Sequence, residues 1–209
     1  DDRRVEEHCK PLGVVAGIIP WNFPLLVATF KLPPALLAGN TIVIKPAPTT
    51  PVTTLMLGEL CAEIFPKGVV NIITDQNELG PVLSSHPDIA KVSVTGSTVT
   101  GKKVMASAAE TIKRVTLELG GNDAAIVLDD LDPILMAEKI IAGAFLNAGQ
   151  VCIAIKRLYV SDKIYDQLLE ELAKHVKNLV LGYGLDTGVN IGPVQNEKQF
   201  QQAKELLID

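Results

Sequence analysis

The sequence predicts an α/β fold, in which helices flank a parallel sheet and a second α/β domain begins. Short β-branched, apolar runs alternate along the 209 residues with segments of helical periodicity. Apolar residues make up 47% of the chain and aromatic residues only 4%. This mixture is typical of strands that are covered by helices on both faces.

The first 130 residues contain six predicted strands and three predicted helices. Pro51 suits the first turn of one helix, since proline at that position loses no helical hydrogen bond. The strands are expected over 11–20, 40–47, 68–74, 89–96, 113–121 and 123–130, and the helices over 50–64, 77–86 and 102–109.

The remaining residues predict helix, strand and helix again. A helix capped by Asp132, with Pro133 after it, runs toward Asn147, and a strand covers 156–161. Ser161 or the next residue, an aspartate, can cap the following helix. Five apolar residues of that helix fall on one stripe: Ile164, Leu168, Leu172, Val176 and Leu179.

Composition argues against several classes of protein. The net charge is −5 and the basic residues are scattered, so we expect no nucleic-acid partner. No apolar run reaches the roughly 18 residues of a membrane span. The three cysteines are widely spaced and have no metal-ligand pattern, so a cytoplasmic protein without a disulfide framework or a metal site is expected.

Polar or glycine-rich segments follow four of the predicted strands. They are PWNFP (20–24), Lys45, GSTVTG (96–101) and LELGG (117–121). Ligands of open parallel sheets bind beyond the carboxyl ends of the strands. One shared crevice at this edge is therefore the simplest interpretation.

Each segment has both a functional and a structural interpretation. GSTVTG could present backbone N–H groups to a pyrophosphate, or it could be a plain tight turn. Lys45 could donate to ribose or phosphate, or it could be a surface lysine. Asn22, held between two prolines, could donate to an oxyanion or merely satisfy its own loop.

Glu118 and Cys152 have the same two interpretations. A glutamate partly withdrawn from water at a strand end can act as a general base, or it can be solvated and idle. Most free cysteines are buried and inert, as we expect of Cys9 and Cys61. Around Cys152 the segment NAGQVC (147–152) is polar and flexible, and no histidine lies near a motif to form a Cys-His hydrolase pair.

Five motifs in order, PWNFP, IKPA, GST-x-x-G, LELGG and NAGQVC, resemble the NAD(P)-dependent aldehyde dehydrogenase superfamily. The resemblance runs from about Val5 to the end, includes IGPVQN (191–196), and extends to the 34-residue interval between Glu118 and Cys152. It implies a Rossmann-like cofactor-binding domain over 1–121 and a catalytic thiol domain over 122–209, both partial.

The resemblance also implies a mechanism. The Cys152 thiolate attacks the aldehyde, and the Asn22 amide and the Cys152 N–H hold the oxyanion. Hydride transfer leaves a thioester, which Glu118 hydrolyses by activating water. The cofactor residues implied by the resemblance are Ile19, Pro20, Trp21, Lys45, Gly96, Ser97, Leu119 and Gly120.

The sequence departs from the family pattern in two respects. Pro48 occupies the position where NAD-preferring members often carry a ribose-binding glutamate, so NAD is expected first while NADP stays open. The chain also covers under half of a typical member, lacks an initiator Met and ends within a predicted helix. We expect part of a longer homodimeric or homotetrameric enzyme for small aldehydes. The alternatives are a truncated, non-catalytic nucleotide-binding or interaction module and a CoA-acylating semialdehyde dehydrogenase.

Overall fold

The computed structural model describes residues 3–208. Contacts divide the chain into two compact units, one ending at Leu119 and the other beginning at Gly120. Each unit is described by itself.

The first unit is a five-stranded parallel sheet with helices between its strands. In chain order its elements are β1 (Val14–Ile18), α1 (Pro24–Leu37), β2 (Thr41–Lys45), α2 (Val52–Ile64), β3 (Val70–Ile72), α3 (Leu79–Ser85), β4 (Ile89–Thr95), α4 (Thr98–Ala109) and β5 (Arg114–Glu118). The strand order is β3-β2-β1-β4-β5, and every pair is parallel. The predicted α/β class, with its parallel sheet and flanking helices, is confirmed.

The strand order reverses between β1 and β4, because β2 and β3 lie on one side of β1 while β4 and β5 lie on the other. Such a reversal separates the loops that leave the two central strands and opens a crevice between them. The polar segments after β1 and β4 therefore lie at the position where an open parallel sheet binds ligands.

Two apolar clusters cover the two faces of this sheet. Val15 belongs to one cluster with residues of α1 and α2, whereas its neighbour Ala16 belongs to the other with residues of α3 and α4. Consecutive residues of a strand point to opposite faces. Because both faces are buried, the central strand β1 is apolar throughout, as its sequence indicated.

Helix α1 is the one element of this unit that the sequence analysis did not predict. Pro24 stands at its first position, but Pro33 and Pro34 lie inside it, and paired prolines argue against a helix. Tertiary packing outweighs this penalty, because one face of the helix is buried against the sheet. The buried residues recur at helical spacing: Ala28, Lys31, Leu32 and Ala35.

The second unit pairs two parallel strands and packs helices against them. Its elements are β6 (Asp123–Val127), α5 (Pro133–Phe145), a 3-10 turn (Leu146–Gly149), β7 (Ile155–Val160), α6 (Tyr165–Lys177) and α7 (Glu197–Leu206). Its core joins β6, α5 and α6 through Val127, Ile140 and Leu168.

Helix boundaries in this unit confirm one predicted cap and contradict another. The Asp132 carboxylate accepts the backbone N–H of Ile134, as predicted. Ser161 and Asp162 do not cap α6, which begins after Ile164 without a side-chain cap. The Ser161 carbonyl instead accepts the N–H of Ile164, so residues 161–164 form a turn before the helix.

Candidate functional site

Four strands of the first unit end side by side at one edge of the sheet. The pairing sets Ile18 opposite Lys45 and Val94, and sets Thr95 opposite Glu118. With an interstrand spacing of about 4.8 Å, the row from Lys45 to Glu118 is roughly 14 Å wide. The sheet therefore brings the predicted polar segments to one edge.

Lys45 is buried, with an exposed fraction of only 4%, and is not a surface lysine. Its ammonium donates to the Asp75 carboxylate at 2.9 Å and to the Pro46 carbonyl at 3.2 Å. Burial alone would raise the pKa of Asp75, but hydrogen bonds from Lys45 and from the Leu79 N–H lower it below its ordinary value. Lys45 and Asp75 therefore form a buried ion pair at the end of β2.

A cleft of about 560 Å³ lies beside this pair. Its walls come from the loops that follow β2 and β3 and from the first turns of α2 and α3. The lining residues are Pro48, Pro51, Leu55, Thr74, Asp75, Gln76, Glu78 and Leu79. Asp75 is a residue that the sequence analysis missed, because its role depends on a partner 30 positions earlier in the chain.

The segment GSTVTG forms the turn from β4 into α4. Ser97 caps the helix by accepting the N–H of Thr100 at 3.1 Å, and the Gly96 N–H donates to the Glu118 carbonyl at 3.0 Å. No acidic side chain occupies the first turn of α4. The positive end of a twelve-residue helix, unneutralised by carboxylates, suits a pyrophosphate, so the residues present fit a dinucleotide.

The two glycines of that segment differ in their surroundings. Gly96 has ample space, because a Cβ there would approach Thr100 no closer than 4.0 Å. At Gly101, a Cβ would lie 2.8 Å from the Leu119 side chain. Gly101 thus permits close packing of α4 on the segment after β5, and Leu119 is engaged in that packing.

The loop after β1 holds the other proposed contacts. The Ile19 side chain is 2% exposed and belongs to the core, whereas Pro20 and Trp21 are half-buried. The Asn22 side-chain oxygen accepts the Phe23 N–H at 3.0 Å. This bond identifies the side-chain oxygen as an acceptor, so the nitrogen is the donor end of the amide.

Glu118 is exposed at the end of β5, so the partial burial that its interpretation as a general base assumed is absent. Its carboxylate interacts electrostatically with Lys31 of α1, a buried lysine whose ammonium donates to the Ser93 hydroxyl at 3.0 Å. Burial lowers the pKa of Lys31 to about 8. The nearby Glu118 carboxylate acts to raise this pKa, and the Lys91 ammonium acts to lower it further.

Sequence reasoning missed Lys31, although a signal was available. It is the only charged residue in the apolar segment FPLLVATFKLPPALLAG (23–39). An isolated charge within a buried run indicates a specific partner, since an unpaired buried charge is costly.

In the second unit, Cys152 follows a strained turn. Asn147 and Ala148 adopt left-handed backbone conformations with φ of 52° and 57°, and Gly149 continues with φ of 74°. Non-glycine residues rarely occupy this region, and such strain concentrates at functional sites. The Cys152 side chain is partly buried.

Hydrogen bonds of Gln150 stabilise this turn. The Asn147 carbonyl accepts both the backbone N–H and the side-chain amide of Gln150, at 3.1 and 2.9 Å. The Gln150 side-chain oxygen in turn accepts the N–H of Gln195 at 2.8 Å. The segments NAGQVC and IGPVQN are therefore in contact through this hydrogen bond.

The other cysteines show no comparable surroundings. Cys9 is exposed, and Cys61 is buried in the core of the first unit, where burial raises the pKa of its thiol. Within residues 3–208, no group of three His, Cys, Asp or Glu side chains could hold a metal ion. Over the same range, no helix is long and apolar enough to cross a bilayer.

Known proteins are similar to nearly the whole length of this chain. The model of the aldehyde dehydrogenase family matches residues 1–209. Phenylacetaldehyde dehydrogenase of Pseudomonas fluorescens is 47% identical over 200 residues, which are 95% of this chain and 40% of that protein. Succinate-semialdehyde dehydrogenase (NADP(+)) of Escherichia coli K12 is 45% identical over 210 residues, covering 100% of this chain and 44% of its own.

Solved structures give the same result. An Escherichia coli NADP-dependent enzyme superposes with a TM-score of 0.92 at 45% identity, over 96% of this chain and 42% of that one. Betaine aldehyde dehydrogenase of Staphylococcus aureus, determined with NAD+, gives 0.91 at 40% identity, over 94% and 39%. The chain thus spans about two fifths of the length of the relatives it matches.

Proposed function

The chain belongs to the aldehyde dehydrogenase family, and from that premise we propose that the full-length protein oxidises an aldehyde to a carboxylic acid with NAD(P)+. The observation that carries the proposal is the match over all 209 residues, with Cys152 directly after a strained turn. The motif resemblance to this family is confirmed, and the roles of individual residues follow as proposals.

Cys152 is the nucleophile. Its thiolate adds to the carbonyl carbon, and the resulting oxyanion accepts hydrogen bonds from the Asn22 amide and the Cys152 N–H. The nicotinamide, when bound, supplies the acceptor for the hydride that leaves this carbon, so that a thioester remains on Cys152. Glu118 takes a proton from water, the hydroxide attacks the thioester, and the thiolate departs.

The residues that would hold the cofactor lie mainly in the first unit. Gly96 and Ser97, at the start of α4, would hold its pyrophosphate, because the first turn of this helix carries no carboxylate. Lys45, beside the cleft that Pro48 and Asp75 line, would bind the adenosine ribose. The loop 19–21 would line the adjacent wall, and the segment 119–120 would contact the nicotinamide.

NAD+ is the first expectation for this enzyme, with NADP+ as the alternative. The relatives include an NADP(+)-dependent enzyme and a structure with bound NAD+, so both occur among close homologues. Pro48 removes one carboxylate that would repel a 2′-phosphate. A panel of aldehydes with each cofactor decides both the cofactor and the substrate class.

Two other functions have weaker support. A CoA-acylating enzyme transfers the thioester to a thiol and needs no water-activating base, so Glu118 at the edge of the sheet favours hydrolysis. A truncated, non-catalytic nucleotide-binding or interaction module is favoured only by the two-fifths coverage. We further propose cofactor binding by residues 1–121, the catalytic thiol in residues 122–209, a homodimer or homotetramer, and a cytoplasmic location.

The test is Cys152→Ser in the full-length protein. We expect aldehyde-dependent reduction of NAD(P)+ to be abolished while cofactor binding, followed by fluorescence titration, is unchanged. Cys61→Ala is the control, because this thiol is buried in the core. Full activity in the Cys152 variant would eliminate the mechanism.

A further inference from the structure

One side chain holds the backbone on both sides of Cys152. The Lys156 ammonium donates to the carbonyl oxygens of Val151, Cys152 and Ala154, at 3.0, 2.8 and 3.0 Å. An ammonium carries three protons, so these three bonds use its full donor capacity. The Asp123 carboxylate lies 3.7 Å away and supplies a counter-charge.

The contact with Val151 has a direct consequence for Cys152. The Val151 carbonyl and the Cys152 N–H belong to the same planar peptide group, and no cis peptide bond occurs between residues 3 and 208. In a trans peptide the two bonds point in opposite directions. A cation that fixes the carbonyl on one side therefore fixes the direction of the N–H on the other.

The same contact affects the strength of the N–H as a donor. A positive charge on a carbonyl oxygen draws electrons from the amide nitrogen, and hydrogen bonds in chains polarise one another in this way. The Lys156 ammonium thus both orients the Cys152 N–H and makes it a stronger donor.

The Cys152 backbone is also closely packed against Gly121. A Cβ at Gly121 would lie 2.6 Å from the Cys152 carbonyl oxygen and would collide with the Asp123 carboxylate. One oxygen of that carboxylate, Oδ2, is buried without a hydrogen-bond partner. Gly121 and Lys156 therefore both lie close to the Cys152 carbonyl oxygen, and the Asp123 carboxylate lies beside both.

A simpler explanation is that Lys156 only satisfies carbonyls of an irregular loop. If that were its whole role, the bonds of Lys156 would not need to meet at the Val151–Cys152 peptide, and no carboxylate would need to lie beside its ammonium. Lys156 reaches three acceptors within four residues, and its side chain is 32% exposed, so water could have solvated the ammonium instead.

We propose that Lys156 is a positioning residue that orients and polarises the Cys152 N–H as an oxyanion donor, through its bond to the Val151 carbonyl. This inference rests on the proposed function, in which the same N–H stabilises the tetrahedral oxyanion. Lys156 itself does not touch the substrate.

The test compares two reactions of the Cys152 thiol in the full-length protein. Acylation by p-nitrophenyl acetate passes through a tetrahedral oxyanion, whereas alkylation by iodoacetamide is a direct displacement that forms none. Both adducts are quantified on the Cys152 peptide by mass spectrometry. A defect in the oxyanion donor slows the first reaction and leaves the second unchanged.

We expect Lys156→Met to slow acylation by about tenfold or more. Loss of one oxyanion donor lowers kcat by roughly 10²–10³-fold, and misorientation of a donor lowers it less. Alkylation stays within about twofold of wild type, and aldehyde oxidation loses kcat with little change in KM. Lys156→Arg, which keeps the charge, restores part of the acylation rate. Lys163→Met is the matched control, because Lys163 pairs with the Asp129 carboxylate in the same unit.

Lys156→Gln is made in parallel, so that a Met variant that fails to fold does not end the test. Equal losses of acylation and alkylation would overturn the inference, because they would indicate an effect on the thiol itself. Unchanged acylation in both neutral variants would also overturn it. A wild-type Cys152 that reacts with neither reagent contradicts the proposed function, and the inference is then lost with it.

Discussion

The two units hold their proposed functional groups in different ways. In the first unit, Lys45 and Glu118 stand at the ends of regular strands, and the register of the sheet determines their positions. In the second unit, Cys152 stands on an irregular turn with left-handed residues, and individual side chains determine its position. Regular hydrogen bonding spreads the constraint over many residues, whereas the turn depends on a few.

This difference predicts different sensitivity to mutation. At the sheet edge, a neighbouring side chain can move to accommodate a change while the strands keep their register. At the turn, side chains and Gly121 lie against backbone atoms such as the Cys152 carbonyl oxygen, which cannot move without displacing Cys152. Matched substitutions in the two units therefore test the comparison.

The largest effect is expected for Gly121→Ala. The new Cβ would meet the Cys152 carbonyl oxygen, a backbone atom, at 2.6 Å, so the turn must shift. We expect the free energy of unfolding to fall by about 3 kcal/mol and aldehyde oxidation to be lost. Urea denaturation measures the first effect. Gly184→Ala is the control, since a Cβ there meets nothing within 4 Å, and equal stability of the two variants would contradict the account.

The next largest effect is expected for Lys31→Met, and its size depends on pH. Because burial lowers the pKa of Lys31 from 10.5 to about 8, the unfolded chain binds more protons than the folded one between these values. The free energy of unfolding of the wild type therefore rises with pH in this window. Below pH 8 Lys31 is charged in both the folded and the unfolded state, so burial of the ammonium destabilises the fold by its full amount. The variant lacks this cost.

We therefore expect Lys31→Met to gain stability relative to wild type at pH 7, by on the order of 1–3 kcal/mol before the lost bond to Ser93 is subtracted. The difference between the two proteins should shift in favour of wild type as the pH rises from 8 to 10. Urea denaturation across this range measures it. A difference that is constant with pH would show that folding does not lower the pKa of Lys31.

Gly101→Ala should have a smaller effect than Gly121→Ala. Its Cβ would meet the Leu119 side chain at 2.8 Å, and a leucine side chain can rotate away. Alanine is also the better helix former, which offsets part of the cost. We expect a loss under about 1 kcal/mol in urea denaturation. A loss as large as that of Gly121→Ala would remove the distinction between the two units.

The smallest effect is expected for Ala148→Gly. Glycine adopts the φ of 57° without the penalty that a Cβ imposes, so stability should rise by up to about 1 kcal/mol. Ala142→Gly, on the exposed side of α5, should lower stability by a similar amount, because glycine weakens helices. Differential scanning calorimetry distinguishes the opposite shifts. Lower stability of the Ala148 variant would show that the turn carries no strain.

The same comparison explains what the sequence could predict. Every strand of the first unit contains a short apolar run, so the sequence indicated all five, and the polar residues at their carboxyl ends indicated where a ligand would bind. Helix α1 was missed, because Pro33 and Pro34 carry a local signal that burial of Ala28 and Leu32 outweighs. Lys31 was missed with it.

Long-range partners could not be predicted in either unit. The bond of Lys45 to Asp75 joins residues 30 positions apart, and the exposure of Glu118 follows from packing rather than from local pattern. Lys156 gave no signal, because a lysine at the start of a strand ordinarily faces water. Its role depends on the path of the chain through a turn that no periodicity describes.

The most direct test of the central claim is the intermediate on Cys152 in Glu118→Gln. With an aldehyde and NAD(P)+, the full-length variant should form the thioester but hydrolyse it slowly. Intact-mass spectrometry should then show an added acyl group, and peptide mapping should locate it on Cys152. Failure of any adduct to accumulate, or an adduct on another residue, would contradict the assignment of Cys152 as nucleophile and Glu118 as base.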